Sequence, residues 1–270
     1  VFDLDLYVLG LVAALSMALG AWLVSIKLND VSIVDSLWSL FFLLMTGVFL
    51  LAAPEVGERA YLVFFLVTLW AVRLSIFITK RNWGHGEDRR YQAIRAENEP
   101  GFWWKSIYIV FGLQAILAWI IALPLLAATV GTAPLGWLDY AALSLWLIGL
   151  FFEAVGDQQL ADFKAQASNK GKVMDRGLWR YTRHPNYFGE ACIWWGYFLF
   201  AVAAGGWWTI VSPLLMTFLL LRVSGVALLE KDMHERRPAY LDYIERTNAF
   251  FPGPPRRSRT SSNGRDSNVH

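Results

Sequence analysis

Apolar residues in this chain come in blocks of about twenty, parted by short polar stretches, and they do not alternate with polar ones at period two. Blocks of that length predict helices that cross a bilayer, because the hydrocarbon core is about 30 Å thick and a helix climbs about 1.5 Å per residue. Seven such spans are read: Leu6–Ile26, Val31–Ala53, Ala60–Thr79, Ser106–Val130, Trp137–Gly156, Pro185–Ala204 and Trp207–Leu229. Asn29-Asp30 offers a cap for the second, and Gly205-Gly206 joins the last two as a tight hairpin. Without period-two alternation a transmembrane barrel is not expected, and no internal repeat is visible. The fold expected is an all-α integral membrane protein.

Composition agrees with that pattern. Of 270 residues, 56% are hydrophobic and 17% are charged, against about 25% charged for a soluble domain. The lone cysteine, Cys192, lies inside an apolar run, which excludes a disulfide framework. Acidic rather than basic residues precede the first span, so no cleavable signal is expected. Cations mark the sides of the membrane. Of the 24 Lys and Arg residues, 21 lie between spans one and two, three and four, five and six, or after Leu229; the opposite loops hold only Arg59. This asymmetry predicts an outside N-terminus and a cytoplasmic C-terminus, and it suits an odd number of spans. Residues 1–255 are read as one domain, and the Arg-, Ser- and Asn-rich stretch 256–270 as a disordered polar tail.

Several ionisable residues interrupt the spans: Asp35, Arg73, Glu153, Asp157, Glu190 and Arg222. With the predicted orientation all fall in the cytoplasmic half of the membrane. Charge there is costly and usually faces a cavity or a partner, so a polar chamber open to the cytosol is expected. The segment Gly171–Glu190 runs into it. Pro185 suits the first turn of a helix, which would put Asn186 and Glu190 on one face. Lys172, Arg176, Arg180 and Arg183 lie just upstream; arginine forks match phosphate and diphosphate groups, although basic loops also face anionic lipid headgroups. No Rossmann or P-loop glycine pattern and no GxSxG elbow occurs. The four histidines lack zinc spacing. Neither a metal nor a nucleic-acid partner is expected.

The run Gly177-Leu178-Trp179-Arg180-Tyr181-Thr182-Arg183-His184-Pro185-Asn186-Tyr187-Phe188-Gly189-Glu190 resembles the C-terminal signature of the steroid 5α-reductase family, above all its bacterial multi-pass branch. Asp35-Ser36-Leu37-Trp38, Glu87-Asp88-Arg89-Arg90-Tyr91, Leu229-Glu230-Lys231, Arg236-Arg237-Pro238-Ala239-Tyr240, Tyr243-Ile244 and Phe250-Phe251-Pro252 extend the likeness over about residues 30–255. The resemblance implies NADPH-dependent reduction of the C4–C5 double bond of 3-oxo-Δ4-steroids or similar enone lipids, in a bacterial inner membrane with the cofactor site facing the cytoplasm.

It also implies roles for residues. Asp35 would be a protonated acid bound to the substrate ketone, with a tyrosine or Trp38 beside it; Val34-Asp35 stands where the animal enzymes carry a Gln-Glu pair. Asn186 and the catalytic-site acid Glu190 would flank the nicotinamide and orient its hydride face. Arg73, Arg81, Asp157, Lys164, Arg176, Arg180, Arg183, His184 and Tyr187 would contact the diphosphate, ribose and 2′-phosphate. Two other classes compete. Isoprenylcysteine carboxyl methyltransferases, which use S-adenosylmethionine, share the shorter Arg-His-Pro-x-Tyr core, but Glu190 and the lack of an Arg-x-x-x-Glu-Glu run count against them. A non-enzymatic lipid-binding protein would leave the buried carboxylate, arginine and asparagine unexplained.

Overall fold

The computed structural model describes residues 2–223 and 239–256. It is helical, with no strand among the described residues. The chain divides into two compact units, residues 1–142 with 197–212 and residues 143–196 with 213–270.

The first unit opens with α1 (Leu4–Leu28), capped by Asp3, whose Oδ1 accepts from Leu6 N at 3.0 Å. Asn29, in the left-handed region at φ 50°, ends α1 and reverses the chain into α2 (Ile33–Ala52). The buried stripe of α1 is mostly small: Gly10, Ala14, Ala18, Ala21 and Ser25. Leu9, Leu15, Leu19 and Leu23 point outward. That inversion is expected of a helix in lipid, where small residues let neighbours approach and large apolar ones face acyl chains. A Cβ at Gly10 would lie 2.6 Å from the Phe49 ring of α2.

Helix α3 (Glu58–Asn82) packs along α2. Phe41, Phe42, Met45 and Phe49 of α2, with Val63, Val67 and Trp70 of α3, are fully buried. At the α3 N-terminal end Arg59 is clamped to Asp139, Nε–Oδ1 2.7 Å and Nη2–Oδ2 3.0 Å, both side chains almost wholly buried. Short α4 (Arg89–Asn98) and α5 (Phe102–Ser106) follow. A π segment, Ile107–Gly112, then leads into α6 (Leu113–Ile121) and α7 (Leu123–Val130), where Pro124 lies at the start of the new helix.

The second unit is built on α8 (Trp137–Ala165), whose residues from Leu143 belong to it, and on the N-terminal part of α9 (Pro185–Ala203). These helices meet backbone to backbone. A Cβ at Gly149 would lie 2.6 Å from the Gly189 carbonyl oxygen, and one at Gly189 only 2.4 Å from Glu153 N. Two short elements complete the unit, α10 (Val211–Phe218), continued by a π segment at Leu219–Val223, and α11 (Tyr240–Arg246).

Among the described residues five helical stretches are long and apolar enough to cross a membrane: Leu4–Leu28, Ile33–Ala52, Glu58–Asn82, Phe102–Ile121 and Trp137–Ala165. They correspond to the first five expected spans. The sixth expected span is the 19-residue α9, whose hydropathy is lowered by Asn186 and Glu190 in its first turns. The seventh is represented by the shorter apolar stretch Trp207–Val223, beyond which residues 224–238 lie outside the described set. So do most of the expected tail and the Leu229-Glu230-Lys231 and Arg236-Arg237-Pro238 parts of the signature.

Candidate functional site

Two polar clusters form, one in each unit. The first gathers on Asp35, in the opening turn of α2. Its Oδ1 accepts from the Tyr91 hydroxyl at 2.7 Å and its Oδ2 from Arg90 Nη2 at 2.7 Å. Both oxygens of Asp35 accept a hydrogen bond here. Arg90 and Tyr91 belong to a run singled out in the sequence but given no role there. Their partner lies more than fifty residues away, and only the fold brings them together.

The run is positioned by its own acids. Asp88 caps α4 by accepting from Arg90 N at 2.9 Å and also takes Arg90 Nε at 3.0 Å. Glu87 accepts from Val31 N at 3.0 Å, just before α2, and holds Arg95 through two bonds of 2.8 and 2.7 Å. Burial raises the Glu87 carboxyl, but the Arg95 hydrogen bonds, the Val31 N–H and the Arg95 charge outweigh it and hold the group below its ordinary range. Burial likewise opposes ionisation of Asp88, and its contacts with Arg90 lower it on balance. Tyr91 is pushed well above the usual phenol value, first by burial and then by the Asp35 charge and hydrogen bond, so its proton is firmly held.

Other candidates in this unit are spread along α2 and α3. Trp38, half-buried, sets its ring edge-on against Phe42 at 5.2 Å. Arg73 is half-buried on α3, in a shallow groove with Phe65, Thr68, Leu69 and Val72 of the same helix. Arg81 is exposed at the end of α3 and donates from Nε to Asn82 Oδ1 at 3.1 Å.

The second cluster lies where α8 and α9 touch. Glu153 and Asp157 are buried one turn apart on α8, and Asn186 and Glu190 are half-buried one turn apart on α9. Asn186 Nδ2 donates to Asp157 Oδ1 at 3.1 Å, while Asn186 Oδ1 is buried with no hydrogen-bond partner among the described residues. The glycine contacts set this spacing: Gly156 lies against Pro185 and Asn186 N, each 3.1 to 3.3 Å from where its Cβ would be. Trp179 Nε1 donates to Gly156 O at 2.9 Å, tying the loop before α9 to α8.

The cations expected to bind phosphate divide. Arg183 is buried and donates to the carbonyls of Thr247 at 2.6 Å and Ile244 at 3.3 Å, so it anchors the segment around α11. Arg176 lies over the Phe163 ring at 5.9 Å, and Lys164 and Arg180 are exposed. His184 is buried and stacked on the Tyr187 ring, centroids 5.5 Å apart and planes 5° from parallel. Glu153 completes the acidic face of α8, though no site role was read for it; its position one turn before Asp157 was the available signal.

Comparison with known proteins decides the family. Residues 21–247 match the family described as "Protein of unknown function (DUF1295)". The chain belongs to that family. It is similar to Uncharacterized protein C594.04c of Schizosaccharomyces pombe, with 26% identity over 281 residues, covering 93% of this chain and 81% of the yeast protein. It is also similar to 3-oxo-5-alpha-steroid 4-dehydrogenase 1 of Bos taurus, with 34% identity over 64 residues, 24% of this chain and 25% of the bovine enzyme. No solved structure gives a significant match.

Proposed function

We propose that the protein is an NADPH-dependent reductase of the C4–C5 double bond in 3-oxo-Δ4-steroids or similar enone lipids. It works from a seven-span fold in a bacterial inner membrane, with an outside N-terminus and the cofactor side cytoplasmic. The observation that carries the reading is Asn186: its Nδ2 donates to Asp157, and its Oδ1 is buried without a donor among the described residues. An unsatisfied buried carbonyl costs about 1–3 kcal/mol, and the carboxamide N–H of a nicotinamide would relieve it. The partial likeness to the bovine dehydrogenase supports the same chemistry.

In this reading Asn186, Asp157 and Glu190 hold the nicotinamide ring, while Lys164, Arg176 and Arg180, with His184 and Tyr187 behind them, hold phosphates and ribose. NADPH held by these residues would supply the hydride that reduces the β-carbon of the enone. The π pair then moves onto the ketone oxygen, which needs a donor aimed at it. In the first unit the Tyr91 hydroxyl, directed at Asp35, is a hydrogen-bond donor of that kind, and Arg90 bonds the same carboxyl group. A proton added at the α-carbon completes the reduction.

The test is NADPH consumption by the purified protein against a panel of conjugated enones, with products identified by mass. NADPH should also raise the melting temperature far more than S-adenosylmethionine, since a ligand that binds only the folded state stabilises by RT ln(1 + [L]/Kd). The reverse preference, with no enone consumed, rejects the reductase and favours a methyltransferase.

A further inference from the structure

The first unit contains a groove the reductase reading does not use. It holds about 560 Å³ and lies between one side of α1, the first turn of α2 and the last turn of α3. Along α1 its wall runs from Met17 through Gly20, Ala21 and Val24 to Leu28, about 16 Å of helix. Its polar groups collect at one end: Asp30, Ser32, Ser36, Thr79 and Asn82. No Lys or Arg lines it. The volume lies in the range of sites that enclose small organic ligands.

The polar end is unusual for these helices. Ser39 and Thr46 of α2 and Thr68 of α3 give their hydroxyl hydrogens to backbone carbonyls. Ser36 and Thr79 line the groove, and their hydroxyls make no hydrogen bond among the described residues. Asn82 Oδ1 accepts from Arg81 Nε, and its Nδ2 has no partner among the described residues. Asp30 Oδ1 already accepts from Ser32 N and from Ser32 Oγ. The groove thus offers neutral donors and an apolar wall along α1, with no Lys or Arg in its lining among the described residues; Arg81 bonds Asn82 from outside that lining.

We infer that this groove binds a single-chain neutral lipid, its acyl chain along α1 and its carbonyl or hydroxyl head among Ser36, Thr79 and Asn82. An anionic headgroup is disfavoured, because the charged side chain in the lining is the Asp30 carboxylate. This site goes beyond the reductase reading and does not rest on it.

The experiment uses the full chain in phospholipid nanodiscs and a monoacylglycerol carrying a diazirine in its chain. Photolysis should label the peptide spanning Met17–Leu28 saturably. Gly20→Phe places a ring in the groove without a clash, since a Cβ at Gly20 meets nothing within 4 Å; it should cut labelling by about tenfold or more. The isosteric double change Ser36→Ala with Thr79→Val should raise the half-saturating concentration about tenfold, the loss of two hydrogen bonds. The free fatty acid of the same chain, ionised, should label this peptide about tenfold less. Labelling that survives Gly20→Phe, or ignores the double change, overturns the site. Equal labelling by the fatty acid overturns the neutral head. No readout depends on turnover, so this site and the reductase fail separately.

Discussion

Two of the aspartate–arginine pairs in the first unit, Arg59–Asp139 and Arg90–Asp35, are alike in residue type and differ in burial and bonding. Arg59 and Asp139 join through two bonds, and both are almost fully buried. Two further Arg59 hydrogens go to the carbonyls of Ala133 and Pro134, and Asp139 also accepts from Gly136 N. Four of the five guanidinium hydrogens are thus taken up within the protein. Asp35 and Arg90 meet through one bond, with Arg90 40% exposed and Asp35 17% exposed, and a phenol donates to the same carboxylate. The closed pair can only hold structure. The open one has a proton donor that can turn elsewhere and a cation that tolerates the change.

The sharpest way to break this contrast is to cut each pair. Asp139→Asn should destabilise by about 3–5 kcal/mol, because Arg59 is left charged and buried. Thermal unfolding in detergent would read that, and activity per folded molecule should stay near wild type. Asp35→Asn should do the reverse. Enone reduction should fall about a hundredfold or more if Asp35 and Tyr91 stabilise the enolate, with a stability change under about 1 kcal/mol, as for exposed pairs. Tyr91→Phe should match it in rate; a large drop in melting temperature with normal turnover would make the cluster structural. Asn186→Ala is expected to weaken NADPH binding about tenfold, one charge-free hydrogen bond and its pre-positioning, while leaving membrane insertion unchanged.

The smallest effect is a pH dependence. The Glu87 carboxyl has a folded pKa below its unfolded one. Its contribution to stability is therefore full above the ordinary glutamate range and is lost as pH falls through the lowered value. The melting-temperature gap between wild type and Glu87→Gln should close on acidification from about pH 6 to about pH 3. A gap that widens there would mean Glu87 is not held by Arg95.

The first five spans were legible because hydropathy over about twenty residues is a property of the segment alone. The buried face of α1 was not, since in lipid small residues turn inward and leucines outward, so volume rather than hydropathy marks the inside. The π segment at Ile107–Gly112 gave no compositional sign. In the candidate site, Asp35, Asn186 and Asp157 were picked out because a polar group among apolar ones needs a partner. The partners themselves could not be read, since Tyr91 reaches Asp35 only when a loop folds back. Arg183 shows the limit from the other side. A guanidinium suits phosphate and carbonyl oxygen equally, and residue type alone did not separate the two.

The touching glycines of α8 and α9 carry one further consequence. Because no methyl group stands between Gly149 and Gly189, the two acid-bearing rods share a hinge line with no cushioning material in it. A graft as small as alanine at position 189 would act as a shim, prising Asp157 away from the Asn186 amide without altering any polar atom. The width of that gap is thus written in what the chain omits, and it could be tuned one carbon at a time.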